Sequence, residues 1–553
     1  IFIMANVNWL KQARLSVPHR SGFDKSFRNL LSAKVGTLVP VLCDELPPNT
    51  RVNLRQALQA QLPPLASDTF MRCKIKLEAF FVPTRLMYGG YEAWLTGDTL
   101  KDYESSSSSL VDKAVKIPIL QVRSGSSYTA ETDLLKPGTL ADYLGYKLLS
   151  SEIGSLQLDS SGAVAGNFNI FPFLGYHLIW DTWYRNTKVQ NKIFSRVDYD
   201  DAASQSRLVL LSSLPYFFAH NSFILYLTDS FGDGKKLGDL RQRNFGSDYF
   251  TEATPQAQQG SPQKVTIDAN DQFTISALRA ANSLQQWLER NNLAGFRLQD
   301  YVRANYGASL SDGVAQRPLF LGMDEIVVYN KGVEQTAQDN NAPTENPFNS
   351  VGSRYGNAYA TGNGTLVDDF VTNEPGYLYV IASLVPHVTY SSGILRQNFR
   401  YNRQDSQSDL ATPLLQNVGN QPIYSKEIVA KNAFLTTYRD YVFGYIDRYA
   451  DFMTREDELH GILRDEETLQ SFALQRSISS NVNISSNFLE IPTDYMDQVT
   501  AVTSAISEYG YWLDIYFDYK VSMPLAEFCQ PSLQDPAYEH GKEVTIRRSG
   551  SRL

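Results

Sequence analysis

Cysteine is nearly missing from this sequence: Cys43, Cys73 and Cys529 are the only three in 553 residues. Their odd number and wide spacing exclude a disulfide framework and a cysteine-built zinc site, and fit a reducing compartment. Histidine is scarce too. His19, His177, His220, His387, His460 and His540 never fall within metal-ligand spacing of one another. HExxH, CxxC, GxSxG and the Walker phosphate loop do not occur. Gly232-Asp233-Gly234-Lys235-Lys236 lacks both the upstream glycine and the Ser or Thr after the lysine, so it reads as a tight hairpin turn. The acidic groups Asp198, Asp200, Asp201 and Asp229, Asp233 miss the spacing of a calcium loop. Asp457-Glu458 and Asp465-Glu466-Glu467 read as solvated faces rather than acid–base pairs. No catalytic residue, metal or cofactor is expected. Long hydrophobic runs are lacking as well: the longest, Tyr377 to Val385, falls far short of the roughly 20 residues of a membrane helix. Ile1-Phe2-Ile3 is too short for a signal-peptide core and has no basic start.

What the chain does have is turn residues and aromatics. Glycine and proline together number 58, tyrosine and phenylalanine 61, which favours sheets and turns. Two stretches alternate strictly. Cys73, Ile75, Leu77, Ala79 and Phe81 interleave with Arg72, Lys74, Lys76 and Glu78. Leu513, Ile515, Phe517, Tyr519 and Val521 interleave with Asp514, Tyr516, Asp518 and Lys520. Each pattern predicts a strand with one buried and one wet face. Val35 to Leu42 reads as an edge strand because Pro40 interrupts it. Further strands are predicted at Ser222–Leu227, Glu325–Tyr329, Tyr377–Val385 and Val388–Tyr390, with a hairpin from Val265–Ile267 and Phe273–Ile275. Phe171 to Arg185 reads as a short aromatic helix facing the core.

The clearest helical signal lies between Leu278 and Gly322. Leu278, Ala281, Leu284 and Leu288 share one helical face, and Asn291, Asn292 and Gly295 stop the helix. Leu298, Tyr301, Val302 and Tyr306 predict a second helix closed by Gly307. Leu284 and Leu288 are expected to be buried. The first and last clear strands lie over 400 positions apart, with no repeated period between them. Distant strands pairing around large insertions is the pattern of a jelly roll. The organisation expected is a basic N-terminal arm over residues 1–34 and a single β domain over 35–553. Residues 98–170 and 331–372 are expected as surface loops, and 278–307 as a helical hairpin.

The formal net charge of -9 is unevenly spread. Residues 1–34 carry Lys11, Arg14, Arg20, Lys25, Arg28 and Lys34 against Asp24 alone. Residues 541–553 carry Lys542, Arg547, Arg548 and Arg552 against Glu543. Two basic ends on an acidic body suit termini that meet phosphate while the rest stays soluble. The candidate phosphate-facing residues are Lys11, Arg14, Arg20, Lys25, Arg28, Arg547, Arg548 and Arg552. Solvated tails are the plain alternative.

An ordered set of stretches resembles the major capsid protein of microviruses, the small single-stranded DNA phages, particularly their gokushovirus-like branch. They are SGFDKSF, GTLVPVLCDELPPN, FFVPTRL, ADYLG, GYHLIWDTWYR, DYFTEATPQAQQG, LRAANSLQQWLER, GFRLQDYVRANYG, QRPLFLG and PGYLYVIASLVPHVTYSSG, running from about residue 21 to residue 393. The resemblance thins from Tyr438 to Gly461 and is weak in the last hundred residues. It implies a mainly β protein: an eight-stranded viral jelly roll with long helical and loop insertions. It also implies pentamers that build an icosahedral capsid around the genome, and a small basic DNA-packaging protein as partner. Its other expected partners are copies of itself, packaged single-stranded DNA bound without sequence preference, and a host surface receptor. It implies a virion protein assembled in the host cytoplasm, neither an enzyme nor inserted in a membrane. In many gokushovirus relatives a long insertion between the DYFT stretch and the LRxA helix builds a threefold spike. Only Ser261 to Ala277 lie there in this chain, so no tall spike is expected at that point. Two rival readings remain: a host-binding spike or tail protein, and a carbohydrate-active β-sandwich enzyme.

Overall fold

A computed structural model describes residues 20–525, apart from internal stretches of which the longest are 123–132, 153–165, 194–223, 259–274, 335–353, 401–418 and 502–508. The chain is mainly β. Two sheets face each other as a sandwich, and nearly all pairing is antiparallel.

The first sheet joins β1 (Ser21–Asp24), β2 (Phe27–Ala33), β4 (Arg51–Gln61), β12 (Tyr329–Glu334), β13 (Arg354–Val371) and β17 (Tyr511–Met523). In space β1 and β2 lie end to end along β17, which pairs β4, then β13, then β12. The second sheet runs β11 (Leu319–Val327), β5 (Cys73–Pro83), β14 (Gly376–Pro386), β3 (Val39–Leu46). β3 is its edge, and the register shifts beside Pro40, as a residue without an N–H donor requires.

The two alternating stretches meet across the sandwich. Ile75 and Leu77 from β5 and Leu513, Ile515 and Phe517 from β17 belong to one buried cluster, with Val52, Leu54 and Leu58 from β4 and Leu378 and Val380 from β14. Each such side chain contributes about 1.5–3 kcal/mol when fully buried. The two sheets then differ. Beyond β5 and β14 a second cluster begins: Phe80, Val82, Tyr377, Tyr379 and Ile381 pack against α1 (Phe171–Ile179), which contributes Phe173, Leu174 and Tyr176. β14 is therefore buried on both faces, which explains its unbroken apolar run. Among the described residues the first sheet is covered on its inner face only. β4 alternates exposed and buried along its whole length, and β17 alternates buried residues with exposed or half-buried ones at the same two-residue period.

Several expectations are corrected. Residues 21–33, placed in the arm, are strands of the sandwich; Phe23 and Phe27 pack on its core. Within 331–372, expected as a surface loop, Arg354–Val371 forms an 18-residue strand paired to β4. Its inward positions carry Gly356, Ala358 and Ala360, so no apolar period advertised it. Gly356 is required: a Cβ there would lie 2.3 Å from the Ser67 carbonyl oxygen. Within 98–170, β6 (Thr99–Glu104) and β7 (Ser109–Ala114) form a hairpin. β8 (Ile119–Val122) pairs β9 (Gly166–Asn169) and β10 (Ile224–Tyr226). Leu120, Leu135 and Leu140 from this segment are buried in the second cluster, so it is not merely surface. A third cluster gathers around β15 (Asn420–Tyr424) and β16 (Val442–Asp447), with Tyr249, Phe250 and Phe488. Val388–Tyr390 is not a strand; Tyr390 forms only isolated bridges. The Val265–Ile267 strand lies outside the described residues, and Ile275 opens a helix instead.

The helical hairpin exists as α2 (Ile275–Ala294) and α3 (Leu298–Tyr306), with Gly307 at φ +66° closing the second helix. Its burial is inverted. Leu284 is 41% exposed and Trp287 42%, and Leu288 is only half-buried. The buried residues are Asn291 and Asn292, expected as helix stops. Asn292 Nδ2 donates to the Gln256 carbonyl at 2.8 Å, and Asn305 Nδ2 to Asn291 Oδ1 at 2.8 Å. Polar anchors, not an apolar stripe, fasten the hairpin to its own chain.

Candidate nucleic-acid interface

The basic N-terminal residues reach the sandwich through β1 and β2. The two strands break at Lys25-Ser26, where the Lys25 N–H donates to the Tyr519 carbonyl at 2.8 Å and Ser26 Oγ accepts from the Tyr519 N–H at 3.0 Å. This break turns Lys25 toward the neighbouring sheet. There its ammonium pairs with Asp44, which also accepts from the Tyr519 hydroxyl at 2.7 Å. Arg28, past the break, points to the outer face and forks onto Asp514, Nε donating to Oδ1 at 2.7 Å. That fork holds the Asp514 carboxyl below the usual carboxylate range. Arg20 is exposed and donates to the backbone carbonyl and side-chain oxygen of Asn49.

Three of the eight candidate phosphate-facing residues are thus placed, on one margin of the first sheet. Lys25 and Arg28 are paired to carboxylates rather than standing free. Lys11, Arg14, Arg547, Arg548 and Arg552 lie outside the described residues.

Between these strands and β12 stretches the outer face of the first sheet. The pairing register sets its side chains in rows. One row runs Ser32, Trp512, Gln61, Tyr359, Tyr329, and the next but one runs Arg28, Tyr516, Ala57, Asn363. Trp512, Tyr516, Tyr359 and Tyr329 are 46%, 49%, 40% and 54% exposed. Sequence reading placed Tyr516 on a wet face but gave it no role. No strand is expected from sequence at Arg51–Gln61, although Val52, Leu54, Leu58 and Ala60 alternate there with polar residues; the buried Gln56 interrupts the period.

The histidines, thiols and carboxylates below have partners or surroundings within the chain. His177 Nε2 meets the Leu237 carbonyl oxygen at 2.8 Å, and its Nδ1 accepts from Arg241 Nε at 3.0 Å. Burial holds the ring well below the ordinary histidine pKa, so it is neutral. Burial likewise pushes the Cys43 and Cys73 thiols up to about 12, which leaves them unreactive. Asp233 pairs with Arg241, and Asp457 and Glu458 face His387 and His460. A cleft of about 400 Å³ beside the third cluster is crossed by the pairs Arg396–Glu427 and Arg400–Asp451. Among the described residues no three metal-ligating side chains converge, and no helix is long and apolar enough to cross a membrane.

Comparison with known proteins agrees along the chain. The profile of a family described as "Capsid protein (F protein)" matches residues 14–271 and 213–533. The Capsid protein VP1 of Chlamydia phage 1 is 24% identical, covering 93% of this chain and 96% of that protein. That of Bdellovibrio phage phiMH2K is 23% identical over 93% and 95%, and that of Spiroplasma virus 4 is 21% identical over 96% and 97%. Neither rival reading is favoured by these matches. The chain belongs to the phage F-protein capsid family, as a structural capsid protein and a component of the virion.

Proposed function

We propose that this subunit self-assembles into a closed icosahedral shell around a single-stranded DNA phage genome, and that its sandwich is an eight-stranded jelly roll. The observation that carries the fold reading is the nesting of strand partners: β2 pairs β17, β3 pairs β14, β4 pairs β13, and β5 pairs β11. First pairs with last, second with second-last, and so inward, as two interleaved Greek keys require. β1 and β12 extend the first sheet beyond these eight strands, and β6–β10, β15 and β16 and the helical hairpin are insertions on one domain. The domain begins near residue 21 rather than 35, and the basic arm shortens to the residues before it.

A shell subunit needs rigidity and contact surfaces more than chemistry, and the described residues offer those. The acidic total makes the chain a poor sole neutraliser of a genome, so a small basic DNA-packaging protein completes the particle. Lys11, Arg14, Arg20, Arg547, Arg548 and Arg552 serve the genome from the inner surface, by backbone contacts without base readout. Host recognition uses loops other than a tall spike after the DYFT stretch. Electron microscopy of native particles tests the reading. Closed icosahedral shells containing DNA are expected; filaments, open sheets or discrete monomers would overturn it. Protease cleavage between Lys11 and Arg20 on intact particles would place the arm outside and refute its inward direction.

A further inference from the structure

We propose that the outer face of the first sheet is a stacking platform for single-stranded DNA, with the sugar–phosphate backbone lying along β4. The inference rests on the genome-enclosing reading above and assigns it a surface. Four observations support it. None of the described residues covers this face, whereas the corresponding face of the second sheet is covered by α1. It displays Trp512 and Tyr516 four residues apart on β17, roughly 13 Å, and Tyr359 two strands away from Trp512, roughly 10 Å. Exposed rings on a flat sheet stack on bases of any identity, because every base has a π-face.

The lane between these rings is the third observation. The outward residues of β4 are Arg51, Asn53, Arg55, Ala57, Gln59 and Gln61, without a carboxylate, and Arg55 makes no ion pair with a described residue. Ala57 floors a shallow depression of about 540 Å³ edged by Gln59, Asn363 and Tyr516 and by the Arg28–Asp514 pair, in which the guanidinium offsets the one carboxylate. Amides and hydroxyls there can hydrogen-bond bases or sugars, and Arg28 can exchange Asp514 for a phosphate at little geometric change. The fourth is continuity: the basic N-terminal residues enter the sheet through β1, which pairs the same β17. A permanent protein partner would favour an apolar surface. Here the exposed large aliphatic side chains across the sheet are Leu30, Val333 and Val371, set apart on β2, β12 and the end of β13 rather than gathered in one patch.

The platform predicts a binding component that salt does not remove, distinct from the arm's phosphate contacts. Full-length subunits are titrated with a fluorescent oligothymidine and with an abasic oligonucleotide of equal length, at low and high salt. Trp512→Ala and Tyr516→Ala should each weaken the oligothymidine by about 5- to 100-fold. They should leave the abasic strand's affinity within about twofold, and replacing Lys11 and Arg14 by Gln should flatten the salt dependence instead. Trp512→Ala should also abolish part of the tryptophan quenching that DNA produces in the parent. Equal loss for both oligonucleotides, or none, while the arm variant still weakens binding, overturns the platform and leaves the genome reading standing. No binding of any strand by the parent at any salt defeats the genome reading itself. Sheet variants that bind DNA normally but fail to assemble show the face to be a subunit contact, which also overturns the proposal.

Discussion

The two sheets of the sandwich are built alike inside and unlike outside. Both turn large apolar residues inward, where Leu77 and Ile515 are fully buried in one cluster. Outward, the second sheet continues into another core: Tyr379 is fully buried, its hydroxyl donating to the Pro172 carbonyl at 2.9 Å from the start of α1. The first sheet's outward side chains meet no second layer among the described residues. The difference teaches where the chain has completed its own packing and where it has left a surface for something else. A bare polar sheet face is common in antiparallel proteins. A bare face with four large aromatics on it is less easily dismissed as solvent cover.

The largest effect that tests this contrast comes from the shared interior. Leu77→Asp would bury a carboxylate opposite Ala382, inside the apolar cluster that also holds Ile75 and Ile515, at a cost of several kcal/mol against a total stability of about 5–15 kcal/mol. Soluble yield should collapse; normal yield and a native melting profile would show that β5 does not face the core. Next in size is the second sheet's outer face. Tyr379→Ala should destabilise by about 3–5 kcal/mol, read as a lowered denaturant midpoint at unchanged slope. Gly175 adds a steric version of the same test, since a Cβ there would come within 2.3 Å of the Tyr379 hydroxyl.

How much of this was readable in advance follows from what each element shows to a periodicity argument. β5 and β17 announced themselves because one face is wet and the other large and apolar. β14 was visible as a run, and its double burial is why it was a run. β13 was hidden, because its inward face is largely glycine and alanine; at Gly356, Gly362 and Gly364 a Cβ would run into Ser67, Ile326 and Asp324, so close approach rather than hydrophobicity sets those residues. The helical hairpin was located correctly and oriented wrongly: amphipathic spacing says that a face is apolar, not that this chain covers it. The basic candidates were chosen by charge alone, and charge cannot reveal that Lys25 and Arg28 already own carboxylates from strands 19 and 486 positions away. The platform residues were unreadable as a set, since only the register brings Trp512, Gln61 and Tyr359 into one row.

A smaller effect separates the second cluster from the rest by pH. Burial holds His177 well below its ordinary 6.5, with the adjacent Arg241 guanidinium acting in the same direction. The native state therefore keeps this ring neutral while the unfolded chain binds a proton below about pH 6.5. Stability from this site is complete above that pH and is lost progressively as pH falls toward the depressed native value. The unfolding midpoint should fall between about pH 7.5 and pH 5. His177→Gln, which can still accept from Arg241 and donate to Leu237, should flatten that part of the slope. An unchanged slope would mean that other groups carry the acid sensitivity.

The smallest expected effects on the isolated subunit are on the surfaces the chain leaves uncovered, and there stability and assembly should part company. Leu284 and Trp287 on α2 are over two-fifths exposed, so truncating either to alanine removes little buried area. The change in subunit stability should stay within about 0.5 kcal/mol, as for other surface positions, instead of the 2–5 kcal/mol of a core leucine. Trp512→Ala on the bare sheet should be equally mild. The two sites then diverge in what they lose. If α2 meets a neighbouring subunit, Leu284→Ala and Trp287→Ala lower particle yield while leaving oligothymidine binding intact, and Trp512→Ala does the reverse. Thermal melting of subunits, particle counts and DNA titration on the same three variants decide it. A loss of several kcal/mol from Leu284→Ala would return the hairpin to the core and erase its difference from β14.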